Sequence, residues 1–468
     1  MTGTPMSPVE STRRGRKSTQ RERLLQAMVQ LAGREGLPAT TIARVIEQAG
    51  VSRPTFYEYF GDRDACFIAA LAGVQQLLLA DVRRAVEREA PEHAVKTTIA
   101  ALIEFANSHP AMARLALGEA LGGGASALDA RDRTIAEIAQ VIEQAERRAP
   151  RSAVVPDLCA PALIGGVCRM LATRLRRGEP STSALREDLL RWVASYERPA
   201  IAQRWHALEP VAALAPPSPA NAALLAPPPL PPGRPRVASE EVLYAQRLRI
   251  LLATAELVGE NGYAATTIAE ITKRAGVDGR ALYRQFANKQ EVFAAVHELF
   301  FQHLVALTAS AFFTGESWPE RIWQAVQTFA GVLESNPTLA YFEFVESHAA
   351  GPLAMQRFND ATAAFTIFLQ EGFQQHHANA PPQLTLEAIV AMSFEVFYLQ
   401  IRRHPDASLA GLTPHLTRLS LVPFIGALET DELIEKKLEG TGTLIAASAP
   451  KLPGQKIETL EFKPDAPG

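Results

Sequence analysis

The chain has 468 residues, enough for several domains, and its 47% hydrophobic and 21% charged content is typical of soluble globular proteins. A formal net charge of −3 argues against a protein that coats nucleic acid non-specifically, although binding at one site depends only on local charge. Three cysteines form no disulfide framework. We see no secretory signal or long uninterrupted apolar run, and we therefore expect a cytoplasmic protein without a membrane partner.

The first 60 residues predict a flexible basic arm followed by three helices. Residues 1–17 are small, polar and basic, and apolar residues then recur at helical spacing. Thr41 is a suitable N-cap for a second helix that ends near Ala49, and Gly50 supplies a tight turn. Ser52 caps a third helix. Two short helices joined by such a turn are typical of a helix-turn-helix, the element that lays its second helix in the major groove of DNA.

The remainder of the first half is predicted to be helical. A long helix opens at Asp62 and runs to about Arg88, and helical periodicity then continues to about Arg204 with breaks at prolines and glycines. No window shows the alternation of a strand, so we predict an all-α fold. Residues 207–238 form a Pro/Ala tract that cannot hold a helix and that predicts an extended linker.

After the linker the chain repeats itself. A shift of 226 residues aligns Arg21–Ala70 with Arg247–Val296 without a gap, and 19 of the 50 positions are identical. Fainter matches follow, because Ser108-His109-Pro110 is answered by Ser335-Asn336-Pro337 and Glu119 by Glu346. We assign the two glutamates a structural role. The duplication therefore predicts two copies of a whole two-domain unit.

The predicted organisation has seven segments. They are an arm (1–17), a first helix-turn-helix domain (18–62), a first helical regulatory domain (63–206), a linker (207–238), a second helix-turn-helix domain (239–288), a second helical regulatory domain (289–430) and a loosely ordered tail (431–468).

The two helix-turn-helix copies, which we call the first and second reading heads, carry hydrogen-bonding side chains at equivalent places. Basic and hydroxyl groups near the start of each second helix can contact base edges or phosphates. The candidate DNA-binding residues are Thr41, Ser52, Arg53, Pro54, Thr55, Tyr57, Tyr59 and Arg63 in the first head, and Thr267, Asp278, Arg280, Ala281, Tyr283, Arg284 and Lys289 in the second.

A basic segment precedes each reading head. Arginines flanked by glycine and proline can enter a narrow minor groove, but the same residues would also suit a merely solubilising tail. The candidates for minor-groove contact are Arg14, Arg16, Lys17, Arg234 and Arg236.

Both reading heads resemble the DNA-binding domain of the TetR/AcrR family of bacterial transcriptional regulators. The resemblance rests on RERLLQAMVQLAGREG with TTIARVIEQAGVSRPTFYEYF and GDRDACF, and on QRLRILLATAELVGENG with TTIAEITKRAGVDGRALYRQF and ANKQEVF. The family usually has a histidine before the closing phenylalanine, where this chain has Tyr59 and Gln285. The resemblance implies a helical ligand-binding and dimerisation bundle behind each head. It also implies that the last two helices of each bundle pair with those of a second subunit, and the candidates here are 160–177 with 182–205 and 386–403 with 409–428.

No motif indicates catalysis, a cofactor or a metal, so we expect no enzyme. The second half is rich in aromatic residues, which suits either an ordinary core or an apolar pocket for a small effector. The candidate pocket residues are Trp323, Phe344, Phe365, Phe394 and Tyr398.

The sequence predicts a sequence-specific DNA-binding transcriptional regulator, best interpreted as an effector-responsive repressor. Its partners would be a double-stranded operator and a small apolar effector. One chain would form its own pseudo-dimer with two non-identical heads. Two alternatives remain open: a homodimer with four heads that acts as an activator or architectural protein, and an all-α enzyme or scaffold that does not bind DNA.

Overall fold

A computed structural model describes residues 8–179, 183–211, 239–375, 380–404 and 406–448. Within these ranges the side chains are described from Thr19 onward, except those of residues 239, 352, 353, 355, 358, 359, 361 and 440–448. The first half contains ten helices within this part of the chain. They are α1 (Pro8–Glu35), α2 (Ile42–Ala49), α3 (Arg53–Tyr59), α4 (Arg63–Arg88), α5 (Ala94–Ser108), α6 (Pro110–Ala113), α7 (Ala120–Gly122), α8 (Ala125–Glu146), α9 (Ala160–Arg177) and α10 (Ser183–Ala194).

The second half repeats this order. Its helices are α11 (Ser239–Ala265), α12 (Ile268–Ala275), α13 (Gly279–Tyr283), α14 (Lys289–Phe312), α15 (Trp318–Ser335), α16 (Pro337–Tyr341), α17 (Pro352–Ala364), α18 (Ile367–Gln375), α19 (Leu384–Arg403), α20 (Thr413–Ile425) and α21 (Ala427–Ser448). Each half also has one π-helical segment, Arg114–Glu119 and Phe342–Glu346. The fold is all-α, as predicted, apart from a short antiparallel pair of strands, β1 (Val154–Pro156) and β2 (Glu197–Pro199).

The two halves share their turn geometry as well as their helices. Gly50 and Gly276 end α2 and α12 with φ of 60° and 62°, a left-handed conformation that glycine adopts without strain. Gly124 and Gly351 precede α8 and α17, with φ of 80° and 97°. These two glycines are 227 residues apart, the same spacing that separates Glu119 from Glu346. The repeat therefore continues past these glutamates into α8 and α17.

The structure differs from the predicted boundaries at three places. Helix α1 begins at Pro8, inside the expected arm, since proline suits the first turn of a helix. Residues 195–205, expected to be helical, contain β2 and turns around Pro199. Helix α21 occupies much of the expected tail, because Ile434 is buried against Trp323, a contact between segments far apart in the chain.

The core is continuous through both halves, and its central contact is the packing of α9 against α19. The facing surface of α9 carries two small residues. A Cβ on Gly165 would lie 2.3 Å from the Glu395 carboxylate, and a Cβ on Gly166 would lie 2.9 Å from the Met392 Cα. These glycines therefore allow the two helices to approach closely.

Among the helices that the structure describes, α4, α14 and α19 have the length and mean hydropathy of membrane spans. In α19, 83% of the apolar window is buried inside the protein, and in α4 and α14 half of it is. The intramolecular packing of these helices accounts for much of their apolar composition.

Candidate nucleic-acid interface

The first reading head consists of α2, its turn and α3. The Thr41 hydroxyl accepts a hydrogen bond from the Arg44 amide at 3.4 Å, and the Ser52 hydroxyl accepts one from the Thr55 amide at 3.3 Å. Both hydroxyls therefore satisfy amides that the helix cannot pair. Phe56 is buried beneath α3, which fixes the outward face of that helix.

The second reading head uses different residues for the same tasks. Thr267 and Glu270 form a reciprocal capping box at the start of α12. The Asp278 carboxylate accepts from the Ala281 amide at 2.7 Å and so caps α13. Leu282 occupies the buried place that Phe56 holds in the first head.

Most of the candidate base- and phosphate-contacting side chains lie on the outside of these helices. Tyr57 is 48% exposed and Tyr283 is 59% exposed, although both are large rings. Arg53, Pro54, Arg280 and Arg284 are exposed, and Thr55 and Tyr59 are half-buried. Ala281 does not fit the prediction, because it is buried against the protein at 7% exposure. Ala281 instead contributes its backbone amide, which donates to the Asp278 carboxylate that caps α13.

Two predicted phosphate contacts are engaged inside the protein. The Lys289 ammonium donates to the carbonyls of Tyr263 and Thr266 at 2.7 and 2.9 Å and lies 4.1 Å from the centre of the Tyr263 ring. Its equivalent, Arg63, pairs with Asp64 and donates to the Leu37 carbonyl at 3.5 Å. These cations hold the turn that precedes each head, which sequence spacing could not distinguish from a phosphate contact.

The arm residues cannot be placed in this surface. The side chains of Arg14, Arg16 and Lys17 lie outside the described residues, and so do Arg234 and Arg236 entirely.

A glutamate at the equivalent position of each repeat joins the head to its regulatory domain. Glu119 accepts a hydrogen bond from the Leu37 amide at 2.7 Å, and Glu346 accepts one from the Tyr263 amide at 2.9 Å. Burial raises the pKa of both carboxyls, partly offset by the amide that each one accepts. The structural role of these glutamates is thus to anchor the segment that leads into each head, at Leu37 before α2 and at Tyr263 beside the kink near the end of α11.

An ion network between the halves connects the two units behind the heads. Glu395 is fully buried and accepts from both Arg131 and Arg169 at 2.9 Å. The pKa of Glu395 is lowered because the two guanidiniums outweigh the burial of its carboxylate. Asp132 accepts from Tyr398 at 3.0 Å and from Arg402 at 2.8 Å.

A second set of contacts joins the halves farther along. Arg418 is buried, pairs with Asp431 at 3.1 Å and donates to the Asp157 carbonyl at 3.1 Å. The Tyr196 hydroxyl donates to the Leu419 carbonyl at 2.6 Å. The start of the expected linker also packs here, since the Val211 amide donates to the Gly411 carbonyl. Sequence reasoning missed these networks, although opposite charges at repeat-equivalent positions were visible in the sequence.

The aromatic cluster of the second half encloses only a small cavity. Phe365 and Phe394 line a space of about 80 Å³ together with Phe329 and Phe397. Phe344 stacks on Phe394 with ring centres 5.0 Å apart. The other two pocket candidates lie elsewhere: Trp323 packs against Ile434, and the Tyr398 hydroxyl is committed to Asp132. In the described ranges, no three His, Cys, Asp or Glu side chains form a metal-binding group.

Comparison with known proteins matches the two heads to one family. The sequence model of the family "Bacterial regulatory proteins, tetR family" matches residues 24–70 and again residues 250–296. The chain is 28% identical over 158 residues to nucleoid occlusion factor SlmA of Marinomonas sp., covering 32% of this chain and 79% of that protein. It is 29% identical over 112 residues to the HTH-type transcriptional regulator RutR of Escherichia coli, covering 24% of this chain and 53% of that protein. The chain thus spans about half the length of RutR.

Solved structures of similar proteins cover about two-fifths of the chain. The fatty acid degradation regulator FadR of Bacillus halodurans matches with a TM-score of 0.35 and 20% identity, over 38% of this chain and 94% of that one. FadR of Bacillus subtilis, solved in complex with stearoyl-CoA, matches with a TM-score of 0.31 and 18% identity, over 38% of this chain and 98% of that one. The chain thus carries two DNA-binding domains of the TetR family of bacterial regulatory proteins in tandem, each followed by a helical bundle.

Proposed function

We propose that the protein is a sequence-specific, effector-responsive repressor in which a single chain forms the pseudo-dimer. Its two different reading heads would bind one operator. The observation that carries this proposal is the direct ion pair between Arg169 on α9 and Glu395 on α19.

Arg169 and Glu395 occupy equivalent positions of the repeat. The register that aligns Ala162 with Ala388 and Arg177 with Arg403 also aligns Arg169 with Glu395. A contact between equivalent positions lies where two identical units would meet their own copies. Two first halves would therefore bury Arg169 against Arg169, and two second halves would bury Glu395 against Glu395. Like charges at a buried contact disfavour both pairings, so the charges select one half of each kind.

The heads differ where they would read DNA. The outward segment reads RPTFYEY in the first head (α3) and GRALYRQ in the second (α13 and the two residues after it), while the caps and turns keep their roles. Side chains on this helix select bases by their hydrogen-bonding groups. A non-palindromic operator with two different half-sites is therefore expected, about 34–36 Å apart if successive major grooves are used.

We place effector control in the second regulatory domain. Phe329, Phe365, Phe394 and Phe397 line the apolar cavity there, which suits a small apolar molecule. Its present volume of about 80 Å³ is below that of ordinary ligand pockets. Binding would have to widen it and displace α14, which packs on α15 and leads directly from the second head. A change in head spacing would then weaken operator binding.

The mass in solution and the selected DNA sites test this proposal together. A pseudo-dimer runs near its chain mass of 50.8 kDa and selects, from random DNA at a stated salt concentration, sites with two unlike halves. A mass near twice that value would favour the homodimer with four heads. Two identical inverted half-sites per chain would contradict the pseudo-dimer.

A double variant, Tyr57→Ala with Tyr283→Ala, tests DNA contact by the heads. Both rings are exposed, so folding should be unaffected. We expect operator affinity to fall by roughly tenfold for each lost phosphate hydrogen bond, measured by fluorescence anisotropy. Leu77→Ala, which removes an exposed apolar side chain from α4, is the matched control. Unchanged affinity in the double variant would favour an all-α protein that does not bind DNA.

A further inference from the structure

A polar cavity of about 380 Å³ lies where the first head, its own regulatory domain and the second half meet. We call it the junction cavity. Its lining includes residues from all three parts, namely Gly36, Arg114, Glu119, Arg176, His348 and Gln356.

Arg114 and Arg176 bring two guanidiniums to this cavity without a carboxylate partner. Arg114 donates to the carbonyls of Gly33 and Arg176, each at 3.3 Å. Arg176 donates through Nη2 to the Thr173 hydroxyl at 3.2 Å, and its buried Nη1 has no hydrogen-bond partner among the described residues. In that same part of the chain, no acidic group lies within ion-pair distance of either guanidinium. The carboxylates of Glu119 and Asp360 also border the cavity, and Glu119 interacts electrostatically with both arginines without pairing directly with either.

The neighbours of Arg176 increase the positive charge. Burial, together with the smaller effects of Arg169, Arg114 and Arg177, lowers the pKa of Arg176 to about 10, although Glu119 opposes the shift. His348 is buried beside Arg176, and its pKa is held well below the usual value by burial and by Arg169, Arg176 and Arg131. Buried cations are normally paired with an anion. Glu119 offsets part of this charge, but its carboxylate accepts from the Leu37 amide and forms no direct ion pair with either arginine. The positive charge of the junction cavity is therefore only partly balanced, which indicates room for a further negative partner.

The equivalent place in the second half shows what such a partner looks like. Arg402 is the repeat equivalent of Arg176, and it is paired with two aspartates of the first half, Asp129 and Asp132. Gly124 and Gly351, which begin α8 and α17, fix the equivalence of these helices. In that register Asp129 corresponds to Gln356, which lines the junction cavity, and Asp132 corresponds to Asn359. At the cavity that Arg176 borders, the carboxylate of Asp129 is thus replaced by the neutral amide of Gln356.

We propose that the junction cavity binds a small oxyanion, a carboxylate or phosphate group, between Arg114 and Arg176. The planar fork of a guanidinium matches the oxygens of both groups. The ligand would supply from solution the negative charge that Asp129 and Asp132 supply at the equivalent site.

Binding there would act on the first head through two existing contacts. Arg114 holds the Gly33 carbonyl in the last turns of α1, and Glu119 holds the Leu37 amide immediately after it. An oxyanion that engages Arg114 competes with the Gly33 carbonyl for the same guanidinium. This coupling to the head rests on the proposed function, whereas binding of the oxyanion does not.

Binding is tested on the full chain without DNA. Inorganic phosphate and succinate are titrated separately by calorimetry at constant ionic strength, with chloride as the balancing anion. We expect saturable binding of at least one probe, and the stronger of the two identifies the preferred oxyanion. Arg176→Gln should weaken binding by about tenfold or more, because it removes a charge-assisted contact. Arg88→Gln, an exposed arginine at the end of α4, should leave binding unchanged.

A second variant places a carboxylate of the protein where the oxyanion is proposed to bind. Gln356→Asp restores the carboxylate found at the equivalent position, and Gln356 is exposed, so the fold should tolerate the change. We expect this variant to lose oxyanion binding as well. The absence of saturable binding to the wild type, or equal loss in Arg88→Gln, would overturn the proposal.

Operator affinity measured with and without the bound probe then separates the two hypotheses. A change in affinity supports the coupling. Saturable oxyanion binding by a chain that selects no DNA site would overturn the proposed function while leaving the oxyanion site intact.

Discussion

The first and second halves of the chain repeat one order of helices, but they differ at the positions where they face each other. Arg169 stands opposite Glu395, and Arg402 is neutralised by aspartates while its equivalent Arg176 is not. Residues that define the turns, such as Gly50 and Gly276, are the same in both halves. The two units therefore share one framework, whereas the contact between them is asymmetric and places different charges on its two sides.

A second contrast lies inside the regulatory domains. His297 and Glu343 form a buried pair in the second half, with the Nδ1 atom 2.6 Å from a carboxylate oxygen. Their repeat equivalents are Leu71 and Ala116, both buried. One unit thus uses an ion pair where the other uses apolar packing.

The largest expected effect comes from Glu395→Gln. It leaves Arg131 and Arg169 buried without their shared counter-charge, so we expect a loss of about 3–5 kcal/mol in the free energy of unfolding, measured by urea denaturation. Glu387→Gln on the same helix is the control. Its pair with Arg174 also joins the halves but is largely exposed, and such pairs contribute less than about 1 kcal/mol. Equal losses in the two variants would mean that the buried charge does not direct the pairing.

Gly165→Ala tests the close approach of α9 and α19. Its Cβ would lie 2.3 Å from the Glu395 carboxylate, and the resulting shift should cost about 1–3 kcal/mol. Gly73→Ala in α4 is the matched control, because no atom lies within 4 Å of a Cβ there. It should be neutral or slightly stabilising, since alanine favours a helix. Similar behaviour of both variants would argue against tight packing between the halves.

Glu119→Ala and Glu346→Ala compare how the two heads are anchored. Each variant removes the acceptor of one amide, that of Leu37 or that of Tyr263. The loss should be about 1–3 kcal/mol, concentrated locally. Hydrogen exchange should show faster exchange at the affected amide only, by about tenfold. Acceleration in both heads from a single substitution would reveal coupling between the heads instead.

The smallest expected effect is a dependence of the free energy of unfolding on pH. It arises from the His297–Glu343 pair, which has no ionisable equivalent in the first half. Burial opposes the charged form of His297, but Glu343 outweighs it and raises the pKa of His297 above 6.5. The stability contributed by the pair is therefore fully present below the ordinary histidine pKa and is lost as pH rises through the raised pKa.

The double variant His297→Leu with Glu343→Ala copies the first half at this place. The free energy of unfolding of the wild type minus that of the variant should fall as pH rises from about 6 to about 8. A difference that is constant over this range would show that the pair does not titrate there.

Much of the fold and of the heads could be predicted from local patterns. The caps Thr41, Ser52 and Asp278 and the turn at Gly50 act within a few residues of the chain, so sequence spacing is enough to place them. Helix α9 has the predicted bounds for the same reason. Lys289 shows the limit, because a cation next to a head suits either a phosphate or a carbonyl, and only the fold brings the Tyr263 carbonyl to it.

The sequence by itself determined that there are two units, that both are helical, and that each presents its own reading helix. Periodicity, capping and repetition are properties of neighbouring residues, and they survive without knowledge of the third dimension. Only the tertiary structure decided which charges meet across α9 and α19, and that Arg176 is left without the carboxylates that Arg402 has. Those contacts join residues more than a hundred positions apart, and their energies depend on burial that no local pattern reveals.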